Sequence, residues 1–137
     1  MAAEKNFENR VKNWLMTQGI YSLGCAADRM TETPVGYFEK RWGGGYSKSG
    51  LPDMHIVANG INLDVELKSS TGRPSELQKH CIRQINACGS IGMILYPEGF
   101  EDFKKLVKGV LNCNGHTAEL NALKAASAST NCDILTG

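Results

Sequence analysis

The spacing of hydrophobic residues changes along this chain, and each change marks an element. Phe7, Val11, Trp14 and Leu15 recur at i, i+4, i+7 and i+8, which predicts a helix with one buried stripe over residues 3–18. Gln18-Gly19 ends it, because glycine suits the left-handed residue after a helix. Residues 53–68 switch to strict alternation. Met54, Ile56, Ala58, Ile61, Leu63, Val65 and Leu67 form one row, and Asp53, His55, Val57, Asn62, Asp64, Glu66 and Lys68 the other. Asn59-Gly60 interrupts the alternation with a dipeptide that accepts positive φ at both centres of a type I′ turn. The stretch therefore predicts two half-buried antiparallel strands in a tight hairpin.

Downstream the helical period returns. Ser75 and Gln78 form a capping box, Leu77, Cys81, Ile82, Ile85 and Cys88 a buried stripe, and Gly89 a stop. Residues 91–96 read as a short apolar strand, so residues 61–96 predict a βαβ unit with parallel strands and a right-handed crossover. Phe100, Phe103, Leu106, Val107, Val110 and Leu111 mark another amphipathic helix. Residues 20–23 suit a short strand, but from Gly24 to the hairpin no period is sustained and turn formers dominate. The expected order is α-β-β-β-α-β-α: an α/β protein whose mixed sheet is flanked by helices. Beyond Asn112 the chain turns to Ala, Ser, Asn and Thr, with a weak helix over residues 116–128. We expect one domain over residues 1–111 and a frayed tail over residues 112–137.

Composition narrows the picture. The 137 residues, 42% of them hydrophobic, are enough for one packed core. No apolar run approaches the roughly 20 residues that cross a bilayer. The opening MAAEKNFENR has no apolar signal core, so a cytoplasmic protein without membrane contact is expected. Five cysteines without a CxxC pair suggest neither a disulfide framework nor a zinc ribbon, and Cys113, His116 and Cys132 fit no common zinc spacing. A net charge of +1 argues against a purely electrostatic nucleic-acid coat. It leaves room for a local basic surface beside an acidic site.

The hairpin register supplies that acidic site. With Ala58 opposite Ile61, His55 falls opposite Asp64 and Asp53 opposite Glu66. Opposed residues have Cβ atoms about 4.5–5.5 Å apart, and like charges so placed repel. A divalent cation between Asp53 and Glu66 would compensate, and Mg²⁺ (or Mn²⁺ in its place) takes such oxygen ligands. Lys68, on the same row, would orient a water or steady charge on a phosphate. Asp64 is an alternative ligand or a partner for His55, and His55 is a supporting residue or a satisfied surface one. Before the hairpin, Tyr37, Phe38, Lys40, Arg41, Trp42, Tyr46 and Lys48 surround Gly43-Gly44-Gly45. Cations interleaved with aromatics suit a nucleic-acid backbone and unstacked bases, although the same residues suit a loop packed on the core. Glu4 and Glu8 are ordinary charges for the first turns of a helix.

The same residues carry a resemblance. Pro52-Asp53 followed by Glu66-Leu67-Lys68 resembles the PD-(D/E)xK signature of a large nuclease superfamily. The longer run GLPD…DVELK…GRPSELQ is similar to its VRR-NUC branch, which includes phage and prophage endonucleases, and in outline to Holliday junction resolvases. The resemblance covers about residues 4–110. It implies a restriction-endonuclease-like core with αβββαβ order and a Mg²⁺-dependent endonuclease. Its metal would be bound by Asp53, Glu66 and the Leu67 carbonyl, with Lys68 as the catalytic lysine. The Phe-Glu-x-Arg run at residues 7–10 carries the acidic residue of the first helix onto Glu8. The residue matching Gln78 has a place beside the lysine or a metal-bound water. Lys40, Arg41, Trp42, Tyr46 and Lys48 would grip DNA. The implied substrate is branched DNA of the Holliday-junction type, cut by a homodimer in repair or recombination. Linear or single-stranded DNA is the alternative substrate, and a DNA-binding module without chemistry the alternative of another class.

Overall fold

The computed structural model describes residues 2–25, 34–41 and 50–113, and the backbone of residues 132–133. Helix α1 (Ala2–Thr17) leads into strand β1 (Ile20–Ser22). Strands β2 (Gly36–Lys40), β3 (Met54–Ala58) and β4 (Ile61–Leu67) follow, then helix α2 (Glu76–Ala87), strand β5 (Ile91–Leu95) and helix α3 (Phe100–Leu111). The five strands form one mixed sheet in sequence order, with the three helices packed against it. β1 runs parallel to β2, β2 to β4 form an antiparallel meander, and β5 is parallel to β4. A further two-residue strand, β6 (Cys132–Asp133), pairs antiparallel with β5, so part of the expected frayed tail is attached to the sheet.

The hairpin has the expected register. Ala58 pairs with Ile61, His55 with Asp64 and Met54 with Val65. Asn59 and Gly60 take φ of 52° and 75°, as the turn demands. The Asn59 side chain also donates to the carbonyls of Val110 (3.1 Å) and Cys113 (2.6 Å). The turn thereby adds a side-chain donor at the C-terminal end of α3, where the Val110 carbonyl also accepts the Cys113 N–H (3.2 Å).

The apolar row of the hairpin faces the core. Met54, Ile56, Leu63, Val65, Ile91 and Met93 are fully buried there, with Phe7, Val11 and Leu15 of α1 and Phe103, Val107 and Val110 of α3. Aromatic edges join the two helices: Phe7 meets Phe100 at 5.6 Å and Trp14 meets Phe103 at 6.1 Å between ring centroids, both T-shaped.

The polar row faces the other side, where α2 lies over β5. A Cβ on Gly92 would meet Ile85 at 3.1 Å, so glycine lets the helix approach. Asn86 of α2 accepts from the Gly92 N–H (2.8 Å) and donates to its carbonyl (3.1 Å).

Two expectations need correcting. β2 arises inside the stretch that showed no period. Only Phe38 of its five residues is buried, so there was almost no alternation to read; the strand exists through its ladder with β3. Gly36 fits there because any Cβ would run into the Val57 carbonyl. The order is therefore α-β-β-β-β-α-β-α, one strand more before α2 than expected. In α2, only Ile82 of the expected stripe is fully buried, while Leu77 (47% exposed) and Cys88 face solvent. The cause is the surface beneath it. The row of β4 on this side is Asn62, Asp64 and Glu66, which offers α2 little apolar area to cover.

Among the described residues, no helix is long and apolar enough to cross a membrane.

Candidate active site

The end of the hairpin away from its turn gathers the charged residues. Asp53 stands one residue before β3 and Glu66 near the end of β4, just beyond Met54–Val65, where the strand pairing ends. Asp53 Oδ2 accepts the Leu67 N–H at 3.1 Å, which ties the loop before β3 to β4. Arg41 holds the loop from the other side. Its N–H donates to the Asp53 carbonyl (2.6 Å) and its guanidinium to the Pro52 carbonyl (3.1 Å).

Glu66 is 2% exposed. Its Oε2 accepts from Gln78 Nε2 at 3.0 Å and faces Lys68 Nζ at 3.4 Å. Its Oε1 is buried and has no hydrogen-bond partner. Burial, then the neighbouring Asp53 carboxylate, push the Glu66 carboxyl up to about 7, against the pull of Lys68.

The capping box orients Gln78. The Ser75 N–H donates to Gln78 Oε1 (2.8 Å), and the Gln78 N–H donates to Ser75 Oγ (3.1 Å). With its oxygen committed to the cap, the amide must turn its NH₂ outward, and Glu66 receives it. Capping and a role at the site thus belong to the same side chain. Gln78 touches Glu66, and it is through Glu66 that it reaches Lys68. Lys68 is fixed by its own N–H, which extends the parallel ladder to the Leu95 carbonyl (3.0 Å), and Gly72, where a Cβ would meet the lysine stem at 3.3 Å, leaves room for that stem.

Glu8 comes from α1 and is 4% exposed. Its Oε2 pairs with Lys5 (3.0 Å) and Lys12 (2.9 Å), and its Oε1 with Lys40 (2.7 Å). Burial alone would raise its carboxyl; Lys12, Lys40 and Lys5 outweigh burial and bring it down to about 2. Lys40 also stands 3.9 Å from Asp53 Oδ1, linking Glu8 to the carboxylate pair. Glu4 has no place in this group of ion pairs.

A second cluster lies one row along the sheet. Asp64 is buried and pairs with His55 Nδ1 (2.9 Å) and the Arg41 guanidinium (3.4 Å). Asp64 is thus engaged away from Asp53 and Glu66. Of the residues expected to grip DNA, Lys40 and Arg41 are turned onto carboxylates; Trp42, Tyr46 and Lys48 lie outside the described residues. Sequence reasoning missed Lys5 and Lys12. Their spacing of i−3 and i+4 from Glu8 was the available signal. A groove of about 630 Å³ opens between α1 and β1–β2, lined by Asn9, Lys12, Asn13, Tyr21 and Lys40 among others. It adjoins the carboxylate pair through Lys40 and does not include Asp53 or Glu66.

The donor set suits a hard divalent cation. Glu66 presents a buried oxygen without a donor, and a second carboxylate stands against it. No group of three or more His, Cys, Asp or Glu side chains able to hold a metal occurs among the described residues. Comparison with family models, with curated proteins and with solved structures returns no match.

Proposed function

We propose that this protein is a Mg²⁺-dependent endonuclease of the PD-(D/E)xK type, similar to the VRR-NUC branch, acting on branched DNA. The observation that carries the reading is the convergence of Asp53, Glu66 and Lys68 on one end of β4, with Glu66 Oε1 left unsatisfied and Gln78 fastened to Glu66 Oε2. Three residues matched in sequence to a catalytic signature need not meet in space; here they do.

Asp53, Glu66 and the Leu67 carbonyl would hold the cation. When bound, Mg²⁺ supplies Lewis-acid charge at the phosphoryl oxygens. The remaining work falls to the chain. Lys68 is an ammonium with three donors, one side of it held by Glu66, so it can position a water for attack on phosphorus or neutralise charge on the phosphate as the P–O bond breaks. Gln78 holds Glu66 Oε2 beside Lys68 and so leaves Oε1 free for the cation. Glu8, saturated by lysines, organises Lys40 beside Asp53. The choice of branched DNA and of a homodimer with two symmetric cuts comes from the resemblance.

The test is cleavage of a labelled four-way junction beside matched duplex and single strands, with and without Mg²⁺. Paired symmetric nicks on the junction are expected. Cutting of linear or single strands instead would keep the site and change the substrate. Binding with no cutting in Mg²⁺ or Mn²⁺ would overturn the enzyme and leave a DNA-binding module.

A further inference from the structure

The geometry points to a second role for the Glu8–Lys40–Asp53 chain: Lys40 is a tethered cation that fills the place of a second metal, so the site takes one divalent ion. This inference rests on reading Asp53 and Glu66 as a divalent-cation site.

The oxygens of the site divide into those that are engaged and those that are open. Asp53 Oδ2 is taken by the Leu67 N–H, and Glu66 Oε2 by Gln78 and Lys68. Both Glu8 oxygens are in ion pairs, with Lys40 on one and Lys5 and Lys12 on the other. Glu66 Oε1 remains without a partner and Asp53 Oδ1 has only the long 3.9 Å pair with Lys40, and these two serve one ion between them. A second ion would have to share Asp53 with Glu8. The Lys40 ammonium already stands there, 2.7 Å from Glu8 and 3.9 Å from Asp53.

Lys40 is not a side chain that wandered in. It ends β2, where its backbone pairs with Met54, the residue after Asp53, and the next N–H, from Arg41, bonds the Asp53 carbonyl. The ladder therefore delivers its stem to Asp53, and only 19% of the side chain is exposed. Charge counting agrees. Glu8, Asp53 and Glu66 bring three negative charges to this group of ion pairs, while Lys5, Lys12, Lys40 and Lys68 bring four positive ones. With Glu66 ionised the group carries an excess of one positive charge before any metal, and each divalent ion adds two. Two ions would pack more positive charge into a half-buried site than its carboxylates can balance.

The test is the stoichiometry of Mn²⁺ binding to the intact protein, followed by electron paramagnetic resonance of the free ion, with circular dichroism as the check on folding. One ion per chain is expected. For Lys40→Gln, a second, weaker ion is expected, because Glu8 and Asp53 then face each other without an ammonium. Lys12→Gln also loses a partner of Glu8 but leaves Lys40 on Asp53, and it should still bind one ion. Two ions on the wild-type chain would overturn the inference while leaving the nuclease reading standing. No binding would overturn both. A single ion on Lys40→Gln would show that Lys40 is not what excludes the second. If Lys40→Gln does not fold, Lys40→Arg, which keeps the charge, must bind one ion, and two ions there would count against the assignment.

Discussion

Glu8 and Glu66 are both buried, at 4% and 2% exposure, and they are linked through Lys40 and Asp53, yet the protein treats them in opposite ways. Glu8 is surrounded by three lysines and its carboxyl falls to about 2. Glu66 has burial and an aspartate working against its charge, and its carboxyl rises to about 7. One glutamate is a finished ion-pair network; the other is a charge the fold has left incomplete. Buried charges that are fully paired can be neutral or better for stability; Glu66 has Lys68 on one oxygen but keeps the other without a donor and a like charge beside it, which costs free energy. A fold keeps such a cost where a ligand relieves it, and this is why the Glu66 end, rather than the Glu8 end, is where we place the chemistry.

The largest expected effect lies at the Glu66 end. Lys68→Ala removes the one ammonium that pairs with Glu66 among the described residues and leaves the Asp53–Leu67 tie intact. Single-turnover cleavage should fall about 10³-fold, the scale seen when a donor to transition-state charge is removed. DNA affinity, measured by fluorescence anisotropy, should stay within a few-fold. A variant that cleaves at the normal rate would take Lys68 out of the mechanism.

The two glutamates also make opposite demands on pH. The Glu66 carboxyl is raised from 4.5 to about 7, so its protonated form favours the fold. Its contribution is complete below pH 4.5 and is lost as pH rises through 7, a swing on the order of 3 kcal/mol. The Glu8 carboxyl is lowered from 4.5 to about 2, so its stabilisation is present above pH 4.5 and is lost as pH falls toward 2. We put that swing at about 2 kcal/mol, discounted because Lys5 is half in solvent. Metal-free protein should therefore be most stable between the two losses, near pH 4–5, and should weaken toward pH 8. Glu66→Gln should remove the alkaline loss, since an amide can donate to Asp53 where a carboxylate cannot. Urea unfolding of both proteins at pH 5 and pH 8 checks this. Saturating Mg²⁺ should restore the wild type at pH 8, by about 2.7 kcal/mol at one hundred times its Kd, and leave Glu66→Gln nearly unmoved. A wild type as stable at pH 8 as at pH 5 without metal would mean that Glu66 is not held as an incomplete charge.

Much of the Glu66 end was legible in the sequence, and little of the Glu8 end was. Asn59-Gly60 fixes the turn, and strict alternation then fixes which side chains oppose, so Asp53, Glu66, His55 and Asp64 could be placed by counting. Ser75 and Gln78 announced the cap, and a capped helix start next to the end of β4 brings Gln78 to Glu66. The partner of Glu8 that matters most, Lys40, comes from a strand with one buried residue and no readable period. Its approach depends on the β2–β3 ladder, a long-range pairing that leaves no local trace. The overestimated burial of α2 has a similar origin: Leu77 and Cys88 obey the helical period, but what lies beneath a helix is not written in the helix. Arg41 reads as a basic loop residue and in the fold becomes a partner of Asp64.

The smallest effect tests whether the contrast between the glutamates is built by the fold or merely by nearby charge. Lys5 makes a 3.0 Å pair with Glu8, as close as Lys12 at 2.9 Å, but its side chain is 53% exposed against 22% for Lys12 and 19% for Lys40. Exposed pairs contribute about 0–1 kcal/mol, because water and salt do most of the screening and ordering a long side chain costs entropy. Lys5→Ala should therefore cost no more than about 0.5 kcal/mol in urea unfolding at pH 7. It should raise the Glu8 carboxyl only slightly, as followed by its carbonyl carbon chemical shift. Lys12 and Lys40, more shielded and approaching opposite oxygens, should be enough to keep Glu8 ionised well below the usual range. If Lys5→Ala instead returns Glu8 to an ordinary value, its charge is held by the surface rather than by the α1–β2 junction. The two ends of the site would then differ in exposure rather than in design.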